Sequence, residues 1–298
     1  MDNYLLSIKD RAGNQSSTIT ITIHTHNFVD GICTICGEGL APANEYEKWD
    51  YTLDDAAKKI TLNKYTGMDE DVTVYSNYDV DGECYKTKLR DTVDNSNLFT
   101  GNKTVKNIVF QKRIDTSNVT NMMNLFFNCS SLLSVDLSNL NTSNVTNMRW
   151  MFALCSSLTF LDVSHFDTSN VTTMSGMLEG CSSLISLNIS NLNTSNATDM
   201  SNMFKNCSSL TSLDLSSFDT SNITSMISMF EGCSSLTSLD LSNFDTSNVA
   251  RMSRMFKSCT ELILISVTNG KWIIKNGCDT NDMFASSGVS EVTNKDAA

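Results

Sequence analysis

The chain has 298 residues, enough for two domains, and 40% of them are hydrophobic, which is ample for a core. Its 33 Asp and Glu outnumber its 21 Lys and Arg, and this acidic balance argues against nucleic-acid binding, which needs clustered basic residues at the phosphates. There is no apolar run of about 18 residues, so we expect no membrane insertion within this sequence.

The first predicted segment is residues 1–23. Apolar and polar residues alternate over residues 4–23, with a turn at Gly13–Asn14, which predicts a β-hairpin or a last strand. The stretch KDRAGNQSSTITI resembles the closing strands of the immunoglobulin-like modules of bacterial surface proteins. The resemblance implies a remnant of a preceding β module within a longer exported chain, at an extracellular or cell-surface location. No apolar signal-peptide core follows the first methionine.

Residues 24–44 contain a compact cluster, HTHNFVDGICTICGEG. Its Cys33-x-x-Cys36 pair and the glycines after it resemble a zinc knuckle. His24 and His26 lie two apart on a strand end and point to the same side, so they could complete a four-ligand set. One structural zinc held by His24, His26, Cys33 and Cys36 is the first interpretation. A Cys33–Cys36 disulfide, and a segment with neither bond, remain open.

Residues 45–97 predict a strand-rich N-terminal cap, with apolar runs at Ile60–Leu62, Val72–Tyr75 and Cys84–Leu89 between polar turns. The segment 98–268 repeats one phrase at a period of 26 residues, marked by cysteines at 129, 155, 181, 207, 233 and 259. Residues 269–298 form a degenerate capping repeat, in which Ser287 stands at the cysteine position. A period of this length predicts coils stacked on one another.

Each coil contains two apolar patterns. Leu132, Val135 and Leu137 alternate with polar residues, so parallel strands are expected near residues 134–138, 160–164, 186–190, 212–216 and 238–242. A second stripe is spaced like one face of a helix, and we expect a short helix there after each Thr-Ser-Asn; it consists of Val119, Met122, Leu125, Phe126 and Cys129. The fold class predicted is an α/β right-handed solenoid of eight coils, six full and two atypical, with strands on one face and short helices on the other.

The order MF-x-x-C-x-x-L-x-x-L-x-L-S-x-F-x-T-S-N-V-x-x-M closely resembles the leucine-rich repeat of BspA-like bacterial surface proteins, over roughly residues 98–292. The stretch ITLNKYTGMDEDVTVYSNYDVDGECYKTKL resembles the cap that opens such arrays. We expect a monomeric, non-enzymatic module that presents a rigid face to a protein or glycan at the outer surface, and the resemblance implies adhesion to host or matrix proteins or to other cells. A passive spacer in a larger envelope protein is the alternative.

Stacking aligns each repeat position into a column. The cysteine column predicts buried free thiols, because parallel neighbours hold their Cβ atoms too far apart for a disulfide. An outward column predicts either a solvated polar face or a site for a cation or cationic ligand; it comprises Asp136, Asp162, Asn188, Asp214 and Asp240. Phe160 and Leu264 interrupt an exposed serine column and are candidates for partner contact. No catalytic constellation is present in the sequence.

Overall fold

The computed structural model describes residues 40–42, 44–81, 83–91 and 98–294 in full, and four short strands before residue 40 by their backbone. Those strands are β1 (Tyr4–Leu6), β2 (Ile19–Ile21), β3 (Phe28–Val29) and β4 (Ile32–Cys33). β1 pairs antiparallel with β2, and β3 with β4. The antiparallel pairing of β1 with β2 agrees with the hairpin predicted over residues 4–23, while the origin of these strands in a preceding module stays a prediction.

A mixed sheet closes the start of the coil stack. A 3₁₀ turn, Glu45–Lys48, precedes the cap strands, which are β5 (Trp49–Asp54), β6 (Lys59–Tyr65), β7 (Asp71–Val74), β8 (Asn77–Val80) and β9 (Glu83–Leu89). Four of them form one sheet in the order β5-β6-β9-β8. The remaining strand, β7, pairs in parallel with the first coil strand. The cap therefore supplies a template on which the first coil is laid.

All but one of the eight coils contribute a short strand to a parallel arrangement. These strands are β10 (Asn107–Phe110), β11 (Ser134–Asp136), β12 (Phe160–Asp162), β13 (Ser186–Asn188), β14 (Ser238–Asp240), β15 (Leu264–Val267) and β16 (Thr293–Asn294). Phe160 pairs with Ser186, and Ser238 with Leu264, which is a step of one repeat. The parallel solenoid of about eight coils is confirmed. The expected strand at 212–216 is not regular enough to be assigned, and the hand of the solenoid stays a prediction.

The expected helical face was wrong. Among the residues described in full, the 3₁₀ turn Glu45–Lys48 is the only helix; the coil segments after Thr-Ser-Asn are pairs of tight turns. Leu125 N donates to Met122 O at 3.3 Å and Cys129 N to Phe126 O at 3.1 Å, each closing a four-residue turn. Asn124 and Asn128 have φ of 62° and 60°, in the left-handed region that an α-helix never enters.

Backbone hydrogen bonds to the next coil take the place of the hydrogen bonds that a helix would make. Asn124 N donates to Arg149 O at 3.1 Å and Phe126 N to Met151 O at 2.8 Å, so alternate amides leave their own coil. An α-helix would need each of these amides for a carbonyl four residues earlier. The predicted stripe is nevertheless buried, because two successive turns bring Met122, Phe126 and Cys129 inward much as a helix would. The burial of these side chains was predicted correctly, but the backbone conformation that buries them was predicted wrongly.

The Thr-Ser-Asn motif joins neighbouring coils. Thr194 Oγ1 donates to Asp219 O in the next coil at 2.7 Å, and Asn196 Nδ2 donates to Ser169 O in the previous coil at 2.6 Å. Ser195 instead donates to Asn193 within its own coil. The same three roles recur along the stack. The motif, which was expected to precede a helix, is instead a link to the coils on both sides.

The core is a continuous apolar column inside the coils. Met151, Phe152 and Leu158 have no exposed surface, and each such side chain contributes about 1.5–3 kcal/mol by leaving water. The Phe126 and Phe152 rings stack with centroids 5.1 Å apart. At the cap, Trp49 packs edge-on against Phe99 at 5.6 Å and so seals the first coil.

We predict that Thr194→Val destabilises the protein by about 1–3 kcal/mol, since valine has nearly the same shape but leaves the backbone N–H and C=O of Asp219 without hydrogen-bond partners. The Thr194 hydroxyl serves both groups, at 2.8 Å and 2.7 Å, and is fully buried. Urea denaturation followed by circular dichroism measures the change. Thr194→Ser retains the hydroxyl and should lose much less, and Thr237→Val, at an exposed position, should be neutral. Wild-type stability in Thr194→Val would refute the link.

Candidate functional site

The outward side chains of the coil strands, which we call the strand face, carry the predicted acidic column. Each member is an acceptor for the serine two residues later: Ser138 N lies 3.0 Å from Asp136 Oδ1, and Ser216 N lies 2.9 Å from Asp214 Oδ1. Ser242 and Ser190 bond to Asp240 and Asn188 in the same way. The column is therefore built from turn acceptors that also place negative charge on the strand face.

Three carboxylates of this column, those of Asp136, Asp162 and Asp214, have lowered pKa values. The hydroxyl and amide of Ser138 hold the pKa of Asp136 below its usual range, and Ser164 does the same for Asp162. Both stay ionised near neutral pH, because each accepts hydrogen bonds that stabilise the charged form. In the part of the chain that the structure describes, no three His, Cys, Asp or Glu side chains are arranged to hold a metal ion.

Phe160 stands at a recess between the first and second full coils. Its ring is 55% exposed, although it occupies a strand position where four other coils have serine. The recess has a volume of about 260 Å³ and is lined by Val135, Asp136, Leu137, Ser138, Phe160, Asp162 and His165. An aromatic ring between two ionised carboxylates suits a cationic group, which gains from both the ring face and the charges.

His165 lies in a coil turn that the sequence pattern does not single out. The structure brings it into the Phe160 recess, where its Nε2 lies 2.8 Å from Leu137 O of the preceding coil and therefore carries the donated proton. Asn139 and Asn243 hold the same repeat position and donate to preceding-coil carbonyls in the same manner. Aligning the repeats would have shown that His165 replaces an asparagine with this structural role.

The strand face has further exposed apolar residues that the sequence did not single out. Leu133 and Ile185 precede the strands on either side of the Phe160 coil, and both are exposed. Leu264 was predicted as a contact residue and is 41% exposed, next to the more exposed Ile263. The structure thus separates two apolar areas by coil, one around Phe160 and one at Ile263 and Leu264. A smaller recess of about 160 Å³ lies between them and is lined by Leu213, Asp214, Leu215, Ser216, Asp240, Ser242 and Asn243.

The cysteine column is buried and free, as predicted. Its six thiols belong to Cys129, Cys155, Cys181, Cys207, Cys233 and Cys259. Cys181 Sγ donates to Phe152 O at 3.2 Å, and the others make the corresponding bond to the coil before them. Burial raises the pKa of the Cys181 thiol to about 12, so the nucleophilic thiolate is not formed at neutral pH. The column is structural.

Residues 93–212 and 183–295 match the family DUF285, described as a Mycoplasma protein of unknown function. The chain belongs to this family. The two matches together run from residue 93 to residue 295, and they confirm the resemblance to BspA-like leucine-rich-repeat proteins. Comparison with curated proteins gives no significant match.

Three solved structures are similar to this DUF285 chain. The T. pallidum leucine-rich-repeat protein TpLRR is 18% identical, with a TM-score of 0.38 over 75% of this chain and 90% of its own. A leucine-rich cell surface protein of F. prausnitzii A2-165 is 19% identical, with a TM-score of 0.36 over 74% of this chain and 69% of its own. A leucine-rich-repeat protein of B. ovatus ATCC 8483 is 14% identical, with a TM-score of 0.33 over 74% and 83%.

Part of the candidate zinc set of this DUF285 chain lies outside the described residues. His24, His26 and Cys36 fall there, and Cys33 is described only by its backbone in β4. The zinc site, the disulfide and the unlinked segment therefore stay open predictions. In the part of the chain that is described, no helix is long and apolar enough to span a bilayer.

We predict that the six column thiols react with a thiol reagent only after denaturation, because none is more than 1% exposed. Cys181→Ala should cost about 1–2 kcal/mol of stability, since the substitution removes a buried sulfur and its contacts. Titration with and without urea, combined with mass mapping, measures both accessibility and stability. The partly exposed Cys84 and Cys278 serve as internal controls that label more readily. Rapid labelling of Cys155 or Cys207 in folded protein would contradict the prediction.

We predict about one zinc per chain when the protein is produced with zinc available, lost in the double variant Cys33→Ser/Cys36→Ser, because thiolates are the strongest ligands of such a set. Elemental analysis measures the metal. A Cys33–Cys36 disulfide by mass spectrometry, with no metal, would decide for the bridge. Thermal melting of the coils should be unchanged in either case, since coil stability comes from neighbouring coils.

Proposed function

We propose that this chain is a non-enzymatic binding module of a bacterial cell-surface protein, and that its strand face contacts a partner protein. The BspA-like repeats support this role, because solenoids offer extended rigid surfaces to partners. The proposed extracellular location is supported by that repeat type and by the resemblance of residues 1–23 to surface-protein modules. Adhesion to host, matrix or other cells is the use we propose for such contact.

One observation carries the proposal: the exposed ring of Phe160 beside its recess. A strand face that served only as a spacer would have no need for an aromatic residue in a serine column. Aromatic residues on a surface are typical of the centres of protein interfaces, where they are buried by the partner. Asp136 and Asp162 flank the ring with ionised carboxylates, so the partner group that fits best is a lysine or arginine side chain.

Charge on the whole chain is consistent with a basic partner. The formal net charge of −12 attracts a basic surface at long range and raises the rate of encounter. Binding should therefore weaken as salt is added, because screening acts on exposed charges within about 10 Å at 0.1 M salt. A monomeric chain with one such strand face is sufficient for this role.

The alternative role is a passive spacer. The links from Thr194 and Asn196 to neighbouring coils recur throughout the stack and favour a stiff rod that holds other modules away from the envelope. A spacer makes no use of the Phe160 recess, so a substitution of Phe160 distinguishes the two roles.

We predict that Phe160→Ser, which restores the serine of neighbouring coils, weakens partner binding at least tenfold while leaving the melting temperature unchanged. The probe is a displayed random peptide library selected on wild-type protein, from which lysine- or arginine-containing peptides should be enriched. Affinities of selected peptides are then measured by biolayer interferometry for each variant at two salt concentrations. Asp136→Asn/Asp162→Asn should slow association and reduce the dependence on salt.

Ile274→Ser is the matched control, since it also removes an exposed apolar side chain but lies outside the strand face. It should bind selected peptides like wild type. A library that yields no binder, or binders that do not distinguish Phe160→Ser from Ile274→Ser, would favour the spacer.

A further inference from the structure

A separate recess lies on the part of the coils built from the paired turns, which we call the turn face. It has a volume of about 320 Å³ and is lined by Thr100, Asn124, Phe127 and Trp150. Thr100 precedes Phe127 by one coil, and Asn124 precedes Trp150 by one coil, so the recess spans three successive coils. Its volume is at the small end of the range for ligand pockets, which suits a single ring-sized ligand.

Trp150 is an unexpected residue at its position. Its φ is 51°, in the left-handed region that is costly for a bulky side chain. The other coils place mostly small or short polar residues at this point, namely Asn124, Gly176, Asn202, Ser228, Arg254 and Asp282. A residue with a strained backbone conformation is a candidate for function when a less strained residue occupies the same position in other coils.

The neighbouring coil makes room for the Trp150 ring. A Cβ added to Gly176 would lie 2.2 Å from Trp150 Cδ1, so a side chain there would displace the indole. The Arg149 guanidinium carbon lies 4.4 Å from the ring centroid and holds the ring in place by a cation–π contact. Phe127 is a second departure from its column, which elsewhere holds Thr100, Ala153, Glu179, Lys205, Glu231, Lys257 and Ala285. Two aromatic exceptions therefore line one recess.

Two polar atoms at this place have no hydrogen-bond partner. Asn124 is 6% exposed, and its Oδ1 is buried without a donor, while the Nε of Arg149 is buried without an acceptor. Buried polar atoms are rarely left unpaired, because an unmade hydrogen bond costs the full desolvation of the group. The recess thus combines apolar ring surface with an unused acceptor and, beside Trp150, an unused donor.

We propose that this turn-face recess binds one neutral sugar unit of a glycan. The C–H faces of a pyranose fit the rings of Phe127 and Trp150, and a sugar hydroxyl can donate to Asn124 Oδ1. Hydroxyls both donate and accept, which matches the two kinds of unpaired atom better than an aliphatic or purely aromatic ligand does. The four lining side chains carry no charge, and the guanidinium of Arg149 beside them already contacts the Trp150 ring, which favours neutral sugars over phosphorylated or carboxylated ones. The site is independent of the strand face and of the protein partner proposed for it.

The test uses methyl glycosides of the common neutral hexoses and N-acetylhexosamines as probes. Saturation-transfer NMR on the full chain identifies those that bind, and indole fluorescence titration gives the affinity. We expect at least one glycoside to bind saturably at millimolar concentration or below. Trp150→Gly should weaken that binding more than tenfold, and Phe127→Ala and Asn124→Ser at least threefold.

The variants copy residues that other coils carry at the same positions, so folding should be preserved. Gly176, Ala153 and Ser228 are the respective models. Asn202→Ser makes the same change as Asn124→Ser in a coil without the aromatic pair, and it should bind like wild type. Since Trp150→Gly also removes a fluorophore, its affinity is read by NMR.

Absence of binding by every glycoside would overturn the proposal and leave a water molecule as the partner of Asn124. Equal binding by Trp150→Gly and wild type would overturn it as well. Loss of binding in Phe160→Ser but not in Trp150→Gly would place the sugar on the strand face, which also contradicts it.

Discussion

Backbone hydrogen bonds between successive coils are the interaction on which the structure depends. On the turn face, alternate amides donate to the coil ahead, and the amides between them close turns within their own coil. This division holds the turn segments in register from coil to coil, because each donating amide meets a carbonyl of the next coil. It also requires left-handed backbone at two points per coil, where Asn and Gly are frequent. Thr, Asn and Cys side chains supply the remaining links between coils.

Such a requirement leaves few positions free to differ. Inward positions must fill the same volume, and turn positions must keep the same hydrogen bonds. Residues that depart from their column are therefore informative, since the coil itself does not demand them. Phe160 on the strand face and Trp150 with Phe127 on the turn face are departures of this kind. His165 is not, because its ring nitrogen replaces an asparagine amide in the same bond.

Much of the fold could be predicted from the repeat. Period and alternation suffice for parallel strands and stacked coils, and burial of Cys181 and its column follows from the same register. The helix at Met122–Cys129 could not be excluded, because two successive turns bury residues at nearly the spacing of a helix. The left-handed backbone conformation of Trp150 cannot be recognised from the pattern of apolar residues. Whether Trp150 and Phe127 line the same recess depends on which repeat positions are neighbours in the folded coils, and the sequence does not define this. Whether Cys33 and Cys36 bind a metal, bond to each other or do neither depends on contacts of residues 24–44 that the sequence alone does not define.

The direction of the links between coils has a mechanical consequence. These hydrogen bonds run along the stacking axis. Tension applied to the two ends of the coil stack therefore breaks the bonds of one coil before those of the next. A released coil of 26 residues extends to about 90 Å, whereas it occupied about 5 Å of the stack. Each rupture would lengthen the chain many-fold and relax the force on the remaining coils. A coil stack loaded in this way yields in small steps and can re-form when the pull subsides.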